Sequence, residues 1–152
     1  MANPTHEQAK LHLQVFEERR EPRLRQAREW FFKNYHVTSV DDAMRIAAPG
    51  TENGALAMMV ISYWEQTCAL LNYGLLHEQL FFETNGEFFM VWERLKPMVG
   101  GFREQFAAPH MFAHLEKAGQ KYEAWMEKTS PGHVTRMREF MKQMRGQMTK
   151  AA

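Results

Sequence analysis

At 152 residues, with 45% hydrophobic and 24% charged side chains, the chain has the make-up of one globular domain, 1–152, and can bury about 68–70% of its unfolded surface without a disulfide or a metal. Nineteen basic and eighteen acidic residues leave a formal charge of +1, which excludes a whole-protein field for nucleic acid or anionic membranes, and the lone Cys68 excludes an internal disulfide and suits a reducing compartment. The polar start MANPTHEQAK has no secretory apolar stretch, and the most apolar run, Gly54 to Ile61, is too short to span a bilayer, so a cytoplasmic protein without membrane insertion is expected.

The residues read as all-α: a compact bundle of six or seven helices with no strand alternation of useful length and no internal repeat. Thr5 caps a first helix to about Arg20, with Leu11, Val15 and Phe16 at helical spacing. Pro22 restarts a helix whose apolar face is Leu24, Ala27 and Phe31. Ser39 caps a short helix through Ala47, with Asp42 at its third position. The central helix is expected at about Ala55 to Leu76, where Ala57, Ile61, Trp64, Cys68, Leu71 and Leu75 form one continuous stripe. A helix from His77 to Glu83 follows, and Asn85-Gly86 marks a turn. Phe88, Val91, Trp92 and Leu95 begin the next, which Pro97 should kink, with irregular backbone between Met98 and Phe102 around Gly100-Gly101. Pro109 opens another helix carrying Leu115, Tyr122 and Trp125, and Ser130-Pro131-Gly132 separates it from a last one, His133 to Met148.

Glu65 is out of place on the central helix, aligned with Ser62, Ala69 and Asn72 as a thin polar edge beside the core stripe. A carboxylate so near a core needs a partner or a changed protonation state. It reads as one end of a partly buried ion pair with Arg94 or Arg103, the other reading being a tuned acid or base. His110 and His114 stand four apart, a spacing that places two imidazoles on one helical face where they could share a metal. Met111 after His110 is not the zinc-protease glutamate, and no third ligand is evident, so no metal and no other cofactor is expected. Cys68, amid apolar neighbours, reads as inert core. No side chain is assigned a catalytic role.

Basic residues gather in two places, Arg19 to Arg28 and His133 to Lys150, each net +4. Either could grip phosphates in a salt-sensitive way, but acidic neighbours such as Glu17, Glu18 and Glu29 favour solvated helix faces for the first. In the last helix Val134, Met137, Met141, Met144 and Met148 repeat at three and four, with Phe140 broadening the seam. Such a helix closes its own bundle or docks on a second subunit.

Arg20-Glu21-Pro22-Arg23-Leu24-Arg25-Gln26-Ala27-Arg28, with Tyr63-Trp64-Glu65-Gln66, Tyr73-Gly74-Leu75-Leu76, Trp92-Glu93-Arg94-Leu95-Lys96-Pro97 and Phe102-Arg103, resembles the signature of a bacterial all-helical family of unknown function, over about residues 11–127. The resemblance implies an all-helical fold and gives Glu65 and Arg103 matching positions without a role. Relatives often carry an N-terminal membrane helix that has no counterpart in this sequence, so membrane placement does not carry over. The leading expectation is a non-enzymatic interaction or regulatory module that meets itself, as a homodimer, or another protein. The alternatives are a nucleic-acid accessory protein using residues 19–28 and 133–150, and a small-ligand binder with an interior pocket near Glu65, Trp64 and Trp92.

Overall fold

In the computed structural model, which describes residues 2–151, five helices in succession open on a side chain that accepts a first-turn backbone N–H. Thr5 caps α1 (His6–Arg19) and forms a reciprocal box with Gln8. Glu21 caps α2 (Pro22–Asn34) through the N–H groups of Arg23 and Leu24, and Ser39 caps α3 (Val40–Ile46). Thr51 caps α4 (Glu52–Asn72), and His77 caps α5 (Glu78–Thr84) through its ring nitrogen. Each satisfies a donor that the helix itself cannot. Three helices follow: α6 (Glu87–Gln105), α7 (Ala113–Thr129) and α8 (His133–Ala151).

Eight helices therefore stand among the described residues, more than six or seven, one for each helical segment read along the chain. The central helix starts and ends earlier than expected, at Glu52 and Asn72. Its stop is a left-handed Gly74 (φ +77°), across which Gly74 N–H bonds to Leu71 and Leu75 N–H to Leu70, the paired bonds of a Schellman ending. Leu75 therefore leaves the stripe and is exposed, while Ala57, Ile61, Trp64, Cys68 and Leu71 are buried as the spacing predicts.

Two compact units divide the chain, the first through Gly119 and the second from Gln120. In the first, α4 packs against α2 and α6, and α3 packs against α6. Leu24, Ala27 and Phe31 of α2 meet this centre as buried residues, and Phe31 stacks on Tyr35 with ring centroids 4.6 Å apart. Close approaches are bought with glycine. A Cβ on Gly54 would collide with the Ala48 carbonyl, one on Gly101 would press Val40 at 3.2 Å, and one on Gly119 would meet the Trp92 ring at 2.6 Å.

The irregularity expected between Met98 and Phe102 lies elsewhere. Helix α6 runs unbroken through Pro97 and Gly100-Gly101 to Gln105, and the disorderly backbone comes after it, in residues 106–112, where Ala107 (φ 50°) and Phe112 (φ 62°) are both left-handed. Gly101 lies close to Val40 of α3 and does not break the helix. In the second unit, Arg138 of α8 donates two hydrogen bonds to the Glu123 carboxylate at 2.8 and 2.9 Å, and Gly132 (φ 80°) turns the chain between α7 and α8.

Candidate functional site

Helix α7 begins at Ala113, four residues after the expected Pro109, and nothing in Ala108 to Phe112 is a good N-cap residue. Phe112, buried and left-handed, occupies the cap position. The missing acceptor comes from 49 residues away. The Glu65 carboxylate accepts the backbone N–H of His114 at 3.0 Å and of Leu115 at 2.8 Å, while Ala113 and Glu116 N–H bond to the His110 and Phe112 carbonyls. Every N–H of the first turn is thereby satisfied, and a negative charge sits at the positive end of the helix.

The rest of α4's polar edge serves the same junction. Asn72 donates its amide to the His114 carbonyl at 3.1 Å, with its nitrogen 3.3 Å from His114 Nδ1. From α6, Arg103 Nε–H donates to the Met111 carbonyl at 2.9 Å, and its guanidinium pairs with Glu116 at 2.6 Å. Glu65 and Arg103 thus hold one segment, residues 111–116, from two sides without touching each other. The ion pair expected between Glu65 and Arg94 or Arg103 gives way to these partners. Arg94 donates instead to the carbonyls of Phe31, Phe32 and Tyr35 at the end of α2, at 3.4, 2.8 and 3.4 Å. Backbone amides suffice for Glu65 because a carboxylate at a helix start needs no countercharge.

His110 and His114 do not share a helical face. His110 lies in the turn before α7, exposed, and His114 is in the helix's first turn, so the spacing of four has no helix to act on. Among the described residues no group of three or more His, Cys, Asp or Glu side chains is placed to hold a metal ion. Cys68 is buried, and burial, with the Glu65 charge behind it, pushes its thiol well above the ordinary value.

The half-buried ion pair exists elsewhere, at Glu87 in the first turn of α6. Arg28 Nε–H and Nη2–H donate to its two oxygens at 2.6 and 2.5 Å, Arg19 stands 3.8 Å away, and the Trp64 indole N–H donates at 3.3 Å. The hydrogen bonding between Arg28 and Glu87 raises the Arg28 pKa further. Sequence reasoning passed over Glu87, although an acidic residue just after Asn85-Gly86 is a helix-start signal and Arg28 was already in view. In the same basic stretch Arg23 pairs with Glu52 at 2.5 Å and Arg20 with Glu17 at 3.6 Å.

Two openings adjoin the Glu65 junction. One is an apolar chamber of about 140 Å³ between α3, α4, α6 and the 106–112 turn. The other is a wider cleft of about 410 Å³ whose rim includes Glu65, His110 and His114. They share Met58, Ile61, Met111 and Phe112 as common walls. Neither Trp64 nor Trp92 lines them: Trp64 is fully buried against Phe88, and Trp92 faces Gly119.

On α8 the apolar seam divides along its length. Val134 is buried, and Met137 and Met141 are half-buried, whereas Phe140, Met144 and Met148 are 61%, 42% and 43% exposed. Among the described residues no helix is long and apolar enough to cross a membrane.

A helical chain whose polar α4 edge and α6 arginine secure the start of α7 is an all-α domain of the kind the sequence signature resembles. Residues 4–125 match the family described as "Domain of unknown function (DUF4760)", and the chain belongs to that family. No curated protein and no solved structure matches the chain.

Proposed function

We propose that the protein is a non-enzymatic interaction module that self-associates through α8, the seam of one copy docking on the first unit of another. The exposed half of the α8 seam carries this reading. Three large apolar side chains, Phe140, Met144 and Met148, stand in solvent on one helix, more than scattered surface apolar residues require. Methionine suits such a face because it adapts to a partner's relief.

Charge selects the partner. The second unit has seven basic side chains against three acidic ones, and the first has twelve against fifteen. Two α8 helices would bring like charge together, whereas an α8 against a first unit joins opposite net charges. The first unit offers exposed apolar residues of its own, among them Leu13 and Leu75. The basic stretch 19–28 is a weaker candidate for phosphate, since Arg19, Arg23 and Arg28 already meet carboxylates.

Sedimentation of the full chain across concentration and salt tests the proposal. The expected result is mass above the monomer at low ionic strength, lost with added salt and lost in Phe140→Glu, whose exposed position leaves the fold intact. A chain that stays monomeric at high micromolar concentration in low salt overturns it. So does an assembly indifferent to Phe140→Glu.

A further inference from the structure

The apolar chamber beside the Glu65 junction has one polar side chain in its wall, and among the described residues its hydroxyl meets no protein group. Its walls come from Met44, Ala57, Met98, Phe102, Met111 and Phe112, and among the wall residues only Tyr35 carries a side-chain oxygen or nitrogen. Tyr35 is 2% exposed and its ring is stacked on Phe31. Among the described residues its hydroxyl makes no hydrogen bond, although its backbone carbonyl accepts from Arg94. A tyrosine hydroxyl that keeps contact with solvent at an apolar cavity can exchange water for a ligand oxygen. Burial also pushes its pKa up to about 12, so the group stands as a neutral donor.

The wall opposite is built rather than loose. Met111 and Phe112 belong to the left-handed turn that Arg103 holds at the Met111 carbonyl and that Glu65 closes at the start of α7. Residues kept in sparsely populated backbone regions persist where the surroundings over-determine them, and ligand clamps are a common place for it. The chamber's volume, about 140 Å³, is that of a dry apolar cavity able to take a single benzene ring. Four methionines around it, Met44, Met58, Met98 and Met111, can give way to admit one.

We propose that this chamber is a binding site for a small uncharged single-ring molecule bearing one hydroxyl or carbonyl oxygen, which the Tyr35 hydroxyl hydrogen-bonds while the methionine and phenylalanine walls enclose the ring. A charged ligand is excluded, since no wall residue offers a countercharge. No α8 residue lines the chamber, and its success or failure as a ligand site does not bear on self-association.

Phenol and benzene are the matched probes, followed in the full chain through the methyl signals of Met44, Met98 and Met111 by NMR. Both should shift these signals saturably, phenol binding about fivefold tighter, the gain of one net hydrogen bond. Tyr35→Phe, which removes only the unpaired hydroxyl, should erase phenol's advantage and leave benzene unchanged. Ala57→Leu, which fills the chamber, should abolish both. No saturable shift at millimolar probe overturns the proposal. Equal affinity for the two probes, as when the hydroxyl keeps a water, also overturns it, as does phenol binding that survives Ala57→Leu in a protein shown folded by circular dichroism.

Discussion

Glu65 and Glu87 are two carboxylates set at the edge of the same core, and they are satisfied by opposite means. Glu87 sits in the first turn of its own helix and gathers cations, Arg28 in a two-bond fork and Arg19 behind it, plus the Trp64 indole N–H. Glu65 sits mid-helix and gathers two neutral amides from a helix 49 residues away. The first is charge matching with a desolvation cost on both sides. The second is helix capping in trans, where the acceptor's charge meets only the dipole of a helix end. A carboxylate at a core boundary therefore does not imply an arginine.

The largest break in this contrast should come from Glu87→Ala. Its side chain is 16% exposed and that of Arg28 24%, so the change strands a half-buried guanidinium and an indole N–H together. A loss of about 3 kcal/mol is expected in urea unfolding. A variant within experimental error of the wild type would mean that the fork contributes nothing.

Glu65→Ala should cost less, about 1–2 kcal/mol, in line with the loss of a helix cap. Its signature is local: hydrogen exchange should accelerate at the His114 and Leu115 amides before it does at the core of α4. Glu65→Gln keeps an acceptor oxygen and should fall between that variant and the wild type. If the alanine and glutamine variants melt together, well below the wild type, charge rather than acceptance is what α7 requires.

Arg103→Lys is the next step down. It keeps a cation for Glu116 but loses the Nε–H bond to the Met111 carbonyl, for about 1 kcal/mol in thermal or urea unfolding. The expected exchange increase is confined to residues 111–116, the segment shared with Glu65.

The smallest effect concerns Cys68, one turn from Glu65. Its folded pKa is raised, by burial first and by the Glu65 charge second, so the neutral thiol's contribution is intact below the ordinary value near 9 and drains away as pH climbs above it. A neutral disulfide reagent should leave folded Cys68 unmodified at pH 8, and Glu65→Gln should lower the pH at which labelling starts. Prompt labelling of the wild type at pH 8 would contradict the burial.

Much of this was legible from residue order alone. The stripe through Trp64 and Cys68 marks α4, the caps at Thr5 and Ser39 mark their helices, and Glu65 stands out as the residue needing a partner. The partner was not legible, since side-chain patterns display guanidinium groups but never free backbone amides. One trace of it existed: Ala108 to Phe112 offers α7 no capping side chain, so a helix without an acceptor and an acceptor without a donor were both in view. Placing the start of α7 at Pro109 hid that match and created the false pairing of His110 with His114. The Tyr35 hydroxyl is a different case, because its place in a cavity wall depends on what surrounds it in space.

The cap that Glu65 supplies has a bearing on how the chain folds. A helix with its own N-cap can flicker into being in the unfolded chain, but α7 lacks one and must pay its nucleation cost only when α4 is already in place to receive it. Closing that 49-residue separation is a late, non-local step. Perturbations at His114 and Leu115 should accordingly leave the refolding rate nearly unchanged and appear in the unfolding rate, the mark of contacts formed after the transition state.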